Sequence, residues 1–314
     1  QYDYLREKYP NKIMMGTENV PRWYEWKACI ERDYIAGVFL WTGVDYLGER
    51  RAQQWPQKAT PEGPLDLAGF PRGSYYQFKS FWTDEPVIAI YTQTAKLSIF
   101  KKDADGNVVE KKKDYWKLAP RVWQNVNPHW NYSEGEKIIV EIYSNCDEIE
   151  LFQNGKSLGK QSLKDQEDRI FKWATDYSKG KLTAVGTYKG KKVKETLETV
   201  DEAYSIKLVP DRKMMTANNT DVLHVVAQLV DKKGREVKNV DDEIKFTISG
   251  DYRFLGTDCG KTEKMDSFKK KMVKTEFGRC LLMIQSTKTP SDITITATNE
   301  SGSLKSKPLV IPVK

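Results

Sequence analysis

From residue 87 onward, apolar and polar residues alternate in short runs, the period-2 pattern of strands that bury one face. The runs VIAIYTQT (87–94), KIIVEIYS (137–144), EIELFQNG (148–155) and KLTAVGTY (181–188) are divided by the turn sequences DADGN, QNGKS and YKGKK. Asn154-Gly155 between two such runs is a strong hairpin signal, because a two-residue type I′ turn needs positive φ at both positions. A second set begins near Ala203 with SIKLVPD (205–211) and continues through VLHVVAQLVD, EIKFTIS, CLLMIQS and ITITATN. Strands at this spacing predict two immunoglobulin-like β-sandwiches of about 110 residues each, over 88–202 and 203–314.

Residues 1–87 have a different texture. YDYLREKYP (2–10) reads as the end of a helix stopped by Pro10. KIMMGTE (12–18) is a short apolar run ending in a carboxylate. VPRWYEWKACIERDY (20–34) follows, with Pro21 suited to a helical first turn and Trp23, Trp26 and Ile30 at helical spacing. AGVFLWTGVDYLGE (36–49) is again apolar and ends in polar and acidic residues. A Pro/Gly-rich loop (55–73) leads to SYYQFKSFW (74–82), which predicts a helix ended before Pro86. The order is strand, helix, strand, loop, helix. Its continuous apolar runs predict strands buried on both faces, in a parallel sheet with helices packed over it. The fold class expected is therefore multidomain, α/β followed by all-β.

Composition narrows the function classes. Hydrophobic residues at 39% and charged residues at 30% describe an ordinary globular protein. The net charge is +7, but the Lys residues are scattered or in short runs such as Lys111 to Lys113 and Lys269 to Lys271. Such runs between strands read as solvated turns, which argues against a nucleic-acid partner. No long apolar stretch predicts a membrane span. Cys29, Cys146, Cys259 and Cys280 show no C-x-x-C spacing and there are two His, which argues against a zinc site of the Cys/His type. Free thiols are the preferred reading, with a Cys259–Cys280 disulfide as the alternative. No cofactor motif is present, and the chain opens without the charged and apolar regions of a signal peptide.

The candidate chemistry lies in the first segment. If 12–18 is a barrel strand, Glu18 sits at its C-terminal end, where barrel enzymes carry their active sites. The next strand delivers Trp41, Asp45, Tyr46 and Glu49 to the same face. Carboxylates beside an aromatic platform are the lining a glycosidase needs for displacement and hydroxyl binding. Each residue also has a structural reading. Trp41 and Tyr46 are alternatively barrel packing, and Asp45 and Glu49 alternatively ion-pair partners. Asp66, in the loop, is alternatively a turn cap.

Here a resemblance becomes specific. GTEN (16–19) resembles the strand-end motif of glycoside hydrolase family 2, and IAGVFLWTGVDYLGE (35–49) is similar to that family's last barrel strand. WPQKATPEGPLDLAGFPRGSYYQFKSFW (55–82) resembles the loop and helix that close its barrel. PHWNY (128–132), IVEIYSNCDEIELFQNGKSLG (139–159) and GTDCGK (256–261) resemble the two sandwiches of its β-galactosidase-like branch from Bacteroidetes. The resemblance implies the C-terminal part of a (β/α)8 TIM barrel over 1–87, followed by the two sandwiches. It implies a retaining exo-acting β-glycosidase, foremost a β-galactosidase, with β-glucuronidase and β-mannosidase as alternatives in the same family. Glu18 would be the nucleophile, Trp41 the platform under the sugar, and Asp66 a partner of the outer hydroxyls. Asp45 and Tyr46 would orient neighbours or touch the substrate.

A retaining mechanism needs two carboxyl groups about 5 Å apart, and the family's acid/base lies upstream of everything in this sequence. Asn299-Glu300, the one Asn-Glu pair present, reads as a polar turn. A (β/α)8 barrel takes roughly 250 residues, and the first 88 supply about two of its eight units. The expectation is a fragment of a longer enzyme, inactive alone, with a glycoside or oligosaccharide as substrate and, from the family, a periplasmic or secreted location. The competing readings are a carbohydrate-binding module, marked by an exposed aromatic strip beyond residue 88, and a scaffold that stabilises the barrel. His129 and Trp130 reaching the active-site rim, and Arg72 meeting an acidic sugar, are further expectations to check.

Overall fold

The structure is a computed structural model that describes residues 1–20, 22–49, 57, 59–118, 125–263 and 267–314. Pro21 and Trp55, which belong to segments singled out from the sequence, lie outside the described residues. The described chain is mainly β-sheet with four short α-helices. It divides into two compact units, one of 1–46, 61–66 and 71–199, the other of 47–60, 67–70 and 200–314.

In the first unit, helix α1 (Tyr2–Lys8) ends ahead of Pro10, and strand β1 (Met14–Asn19), helix α2 (Trp23–Ile30) and strand β2 (Ile35–Leu40) follow. Asp3 on α1 accepts two hydrogen bonds of 2.8 Å from Arg32, which fasten that helix beside β2. β1 and β2 pair in parallel, with Met14 opposite Ile35, Gly16 opposite Val38 and Asn19 opposite Leu40. The parallel βαβ order matches the sequence pattern, but the burial does not. Ile13 keeps 80% of its surface exposed and Phe39 60%. A strand is buried on both faces only when sheet neighbours and helices cover it, and among the described residues this sheet has two strands.

Helix α3 (Gly73–Trp82) is the element predicted from SYYQFKSFW. Its aromatics meet those of α2, with Trp26 and Trp82 ring centroids 5.5 Å apart and Trp23 and Phe81 5.2 Å apart. Its other face, through Tyr76 and Gln77, lies on a sheet of Ile170–Asp176, Lys137–Ser144 and Ile88–Thr94 in that order. This explains why nearly every residue of Lys137–Ser144 is buried: one face meets α3, and the other meets a second sheet. That sheet has the order Lys156–Ser162, Glu148–Gln153, Lys181–Tyr188, Lys191–Glu198. The two sheets share a core of Trp130, Ile138, Val140, Ile142, Leu151, Phe171 and Leu182. At the predicted hairpin, Asn154 (φ +51°) and Gly155 (φ +82°) turn the chain between two antiparallel strands.

Trp130 is fully buried in that core against Tyr177 at 5.0 Å, so the expectation that it reaches a substrate rim is corrected: it is a packing residue. Trp173 is buried as well. Neither contributes to an exposed aromatic strip of the kind a sugar-binding module would show.

In the second unit, one sheet orders Ser205–Pro210, Val222–Val230, Arg279–Ser286 and Tyr252–Asp258, and the other Met272–Lys274, Glu243–Ser249, Ile293–Asn299 and Leu309–Ile311. They close over Leu223, Val225, Ile244, Phe246, Leu282 and Ile295. Cys259 and Cys280 are in this core as buried thiols, and Cys29 and Cys146 are buried thiols elsewhere. The Asn299 side chain donates to Asp242 at 2.8 Å and accepts from the Leu304 amide at 2.9 Å, so it ties a turn together. Among the described residues no helix is long and apolar enough to cross a membrane.

Candidate active site

Glu18 is the penultimate residue of β1 and is exposed, while its neighbour Asn19 turns inward to the Glu25 carboxylate on α2. The alternation follows from strand geometry, which sends successive side chains to opposite faces. The Asn19 carbonyl accepts the Trp41 amide at 2.9 Å, carrying the parallel pairing one step past the end of β2. Glu18 and Trp41 therefore stand on adjacent strand ends that point the same way. The peptide bond between Trp41 and Thr42 is cis. The Trp41 indole Nε1 donates to Tyr46 Oη at 3.0 Å, and the two rings meet edge-on with centroids 5.8 Å apart. That contact fixes the half-buried indole by its polar edge.

Asp45 is nearly fully buried. Its Oδ1 accepts from Arg72 Nη1 at 2.7 Å and from the Gly63 amide at 2.9 Å, and its Oδ2 meets Arg72 Nη2 at 2.5 Å. Arg72 also donates to the Gly63 carbonyl at 3.2 Å. The loop carrying Asp66 runs against the β2 exit: the Asp45 amide donates to the Leu65 carbonyl at 2.9 Å, and the Leu65 amide to Gly43 at 3.3 Å. A Cβ on Gly63 would lie 2.6 Å from the Val44 and Asp45 backbone, so only glycine permits the approach. Asp66, next to Leu65, is buried, as is Glu62, next to Gly63.

The structure thus gathers Trp41, Asp45, Tyr46 and Asp66 on one pair of backbone segments and places Glu18 on the strand beside Trp41. Glu49 is exposed and falls in the other compact unit. Two contributors were not singled out from the sequence. Gly63 carried a signal, as a Gly between Pro residues in a loop; Asn19, next to the Glu, carried none beyond its position. Arg72 was considered only as a partner for an acidic sugar, and its carboxylate partner is Asp45. An open recess of about 320 Å³ lies elsewhere in this unit, among Arg22, Trp23, Gln77, Glu110, Trp116 and Asp168, and none of the candidate residues lines it. Burial there lowers the pKa of the Arg22 guanidinium and raises that of the Glu110 carboxyl, whose charged form is only partly relieved by the Trp116 and Tyr115 amides. Among the described residues no group of three or more His, Cys, Asp or Glu is arranged to hold a metal ion.

Residues 206–308 match the family described as glycoside hydrolase family 2 C-terminal domain 5, and residues 135–194 match one described as a domain of unknown function. The β-galactosidase BoGH2A of Bacteroides ovatus is 32% identical over 272 residues, an alignment covering 86% of this chain and 28% of that protein. A putative β-glucuronidase of Formosa agariphila is 26% identical over 266 residues, covering 81% of the chain and 22% of the relative. Among solved structures, a glycosyl hydrolase family 2 member from Bacteroides cellulosilyticus superposes with a TM-score of 0.86 at 28% identity, over 100% of this chain and 41% of that one. A β-glycosidase from Bacteroides vulgatus gives 0.73 at 27% identity, over 92% of this chain and 32% of that one. The chain spans less than half the length of each of these proteins.

Proposed function

We propose, for a chain that belongs to glycoside hydrolase family 2, that it is the C-terminal portion of a retaining exo-acting β-glycosidase with Glu18 as its nucleophile. The observation that carries this is the parallel pairing of β1 with β2, which sets Glu18 and Trp41 on adjacent C-terminal strand ends. On this reading β1, α2, β2 and α3 are the closing units of a (β/α)8 barrel, and 88–202 and 203–314 are immunoglobulin-like sandwiches behind it. Glu18 attacks the anomeric carbon and the leaving group departs as the alcohol, giving a covalent glycosyl-enzyme that water then hydrolyses. The acid/base that protonates the leaving oxygen belongs to a barrel strand outside this sequence, so the 314-residue chain alone is inactive. Trp41 offers its face to the apolar side of the sugar, and Asp66 accepts from the outer hydroxyls.

A β-galactoside is the preferred substrate. The pairing of Arg72 with Asp45 supports a neutral sugar over a glucuronide, because the guanidinium is already neutralised by a buried carboxylate. A periplasmic or secreted location goes with an enzyme acting on external glycans. The test uses the full-length protein, reacted with a 2-deoxy-2-fluoro-β-galactoside and mapped by mass spectrometry. The electron-poor sugar slows breakdown of the intermediate and leaves the nucleophile tagged. Label on Glu18 supports the mechanism, the residue and the sugar together; label on another carboxylate overturns the assignment.

A further inference from the structure

Asp45 and Arg72 form an ion pair with a buried carboxylate near the strand ends, yet the displacement chemistry uses neither. Resting on the glycosidase reading above, we propose that Arg72 is a positioning residue: its clamp on Asp45 sets the register between the strand end bearing Trp41 and Tyr46 and the loop bearing Asp66. Both guanidinium prongs engage the carboxylate, at 2.7 and 2.5 Å, and the Nη1 prong reaches the Gly63 carbonyl at 3.2 Å as well. The Arg72 amide closes the loop on the Pro64 carbonyl at 2.9 Å. One side chain therefore holds three segments: its own, the Gly63 turn, and the β2 exit.

Geometry gives the clamp its reach. Asp45 is next to Tyr46, whose hydroxyl holds the Trp41 indole, and Leu65, paired to Gly43 and Asp45, is next to Asp66. A shift of the loop against the strand moves the platform and the hydroxyl acceptor relative to each other, while Glu18 stays on β1. Misplacement of a substrate-holding group by about 1 Å can cost on the order of 100-fold in rate. The planar fork is needed because Lys offers a point charge and cannot meet both carboxylate oxygens and a carbonyl in one plane. The clamp predicts that Arg72 acts on every accepted sugar alike, whereas an Arg that contacted a uronate would act on glucuronides alone.

The experiment measures kcat and KM of the full-length protein and of Arg72→Met, Arg72→Lys and Asp45→Asn with 4-nitrophenyl β-galactoside and 4-nitrophenyl β-glucuronide. Arg72→Met and Asp45→Asn are expected to lower kcat/KM about 10- to 100-fold, mainly through KM, by one common factor on whichever of the glycosides the wild type accepts. The double variant is expected to be no worse than the worse single, because removing either partner already breaks the unit. Arg72→Lys should recover part of the loss. A folded Arg72→Met within about twofold of wild type, additive losses on the log scale, or a loss confined to the glucuronide overturns the proposal. If Arg72→Met does not fold, Arg72→Lys and Asp45→Asn decide by the same criteria. A wild type that turns over neither glycoside and takes no label on Glu18 removes the glycosidase reading itself, and this role with it. An active wild type with unaffected variants removes only the clamp.

Discussion

The C-terminal sandwich and the N-terminal βαβ segment both carry apolar residues on their strands, yet they differ in how far they bury them. Across 205–311 two four-stranded sheets face each other, and Leu223, Ile244, Leu282 and Ile295 have no exposed surface. In the βαβ segment, two strands pair and Ile13, Met15 and Phe39 stay largely exposed. The candidate chemistry sits in the open segment and the closed core in the sandwich. A barrel strand is apolar on both faces because it expects cover on both; a sandwich strand alternates because it expects cover on one. On the proposed barrel reading, further strands and helices would cover these exposed residues; the chain spans 28% of BoGH2A.

The largest effect expected from this contrast is on activity. Glu18→Gln in the full-length protein should lower kcat by at least about 10,000-fold, as loss of an acting nucleophile does, and, being a near-isosteric change, leave the melting temperature within about 2 °C. Initial rates and a thermal melt of one preparation check both; residual activity of several per cent would move the nucleophile elsewhere. Next in size is Phe246→Ala in the sandwich core, expected to cost about 3–5 kcal/mol. Phe39→Ala in the 314-residue chain should cost under about 0.5 kcal/mol. Urea titrations of both variants compare the regions directly, and equal costs would break the distinction between closed and open cores.

What the sequence disclosed follows the same line. Asn154-Gly155 was legible because a type I′ turn is specified by two adjacent residues. The βαβ order was legible from periodicity, but the exposure of Phe39 was not, since burial depends on partners that no local pattern contains. Asp45 and Arg72 are 27 residues apart and meet only because the Gly63 turn folds back on the β2 exit; from sequence, each had an open list of partners. Trp130 in PHWNY was expected at the active-site rim, and its full burial against Tyr177, which no local pattern contains, places it in the core. Glu18 was singled out by its resemblance to a motif, and spacing alone would have left it one acidic strand end among several.

A smaller effect sharpens the picture of the first sandwich as a self-specified sheet. Gly155 has φ +82° and open space around a would-be Cβ. Gly155→Ala meets no steric clash beyond its own backbone, so the cost is that of a left-handed Ala, about 1 kcal/mol. Chemical denaturation of the variant should show that loss. No loss would mean that the turn relaxes to another type, and hence that Asn154-Gly155 does not set the register of the hairpin.

The smallest effect separates one charge from the general acid sensitivity of the chain. Asp231, in the second unit, is buried, which by itself raises its pKa. Bonds from Arg235 Nε at 2.7 Å and from the amides of Lys233 and Arg235 at 2.9 and 3.0 Å outweigh that, and hold the carboxyl at about 2 against an ordinary 3.8. A carboxyl lowered in the folded state stabilises it above the unfolded value and loses that contribution as the pH falls through the folded one. The window is therefore pH 4 to 2. Arg235 remains partly open to water, and screening keeps the pH-dependent contribution under about 1 kcal/mol. Asp231→Asn removes the titration, so the stability gap between wild type and variant should narrow from pH 4 to pH 2.5 in paired denaturant titrations. A gap that stays constant would show that the carboxylate titrates alike in both states and that the turn is held by its geometry.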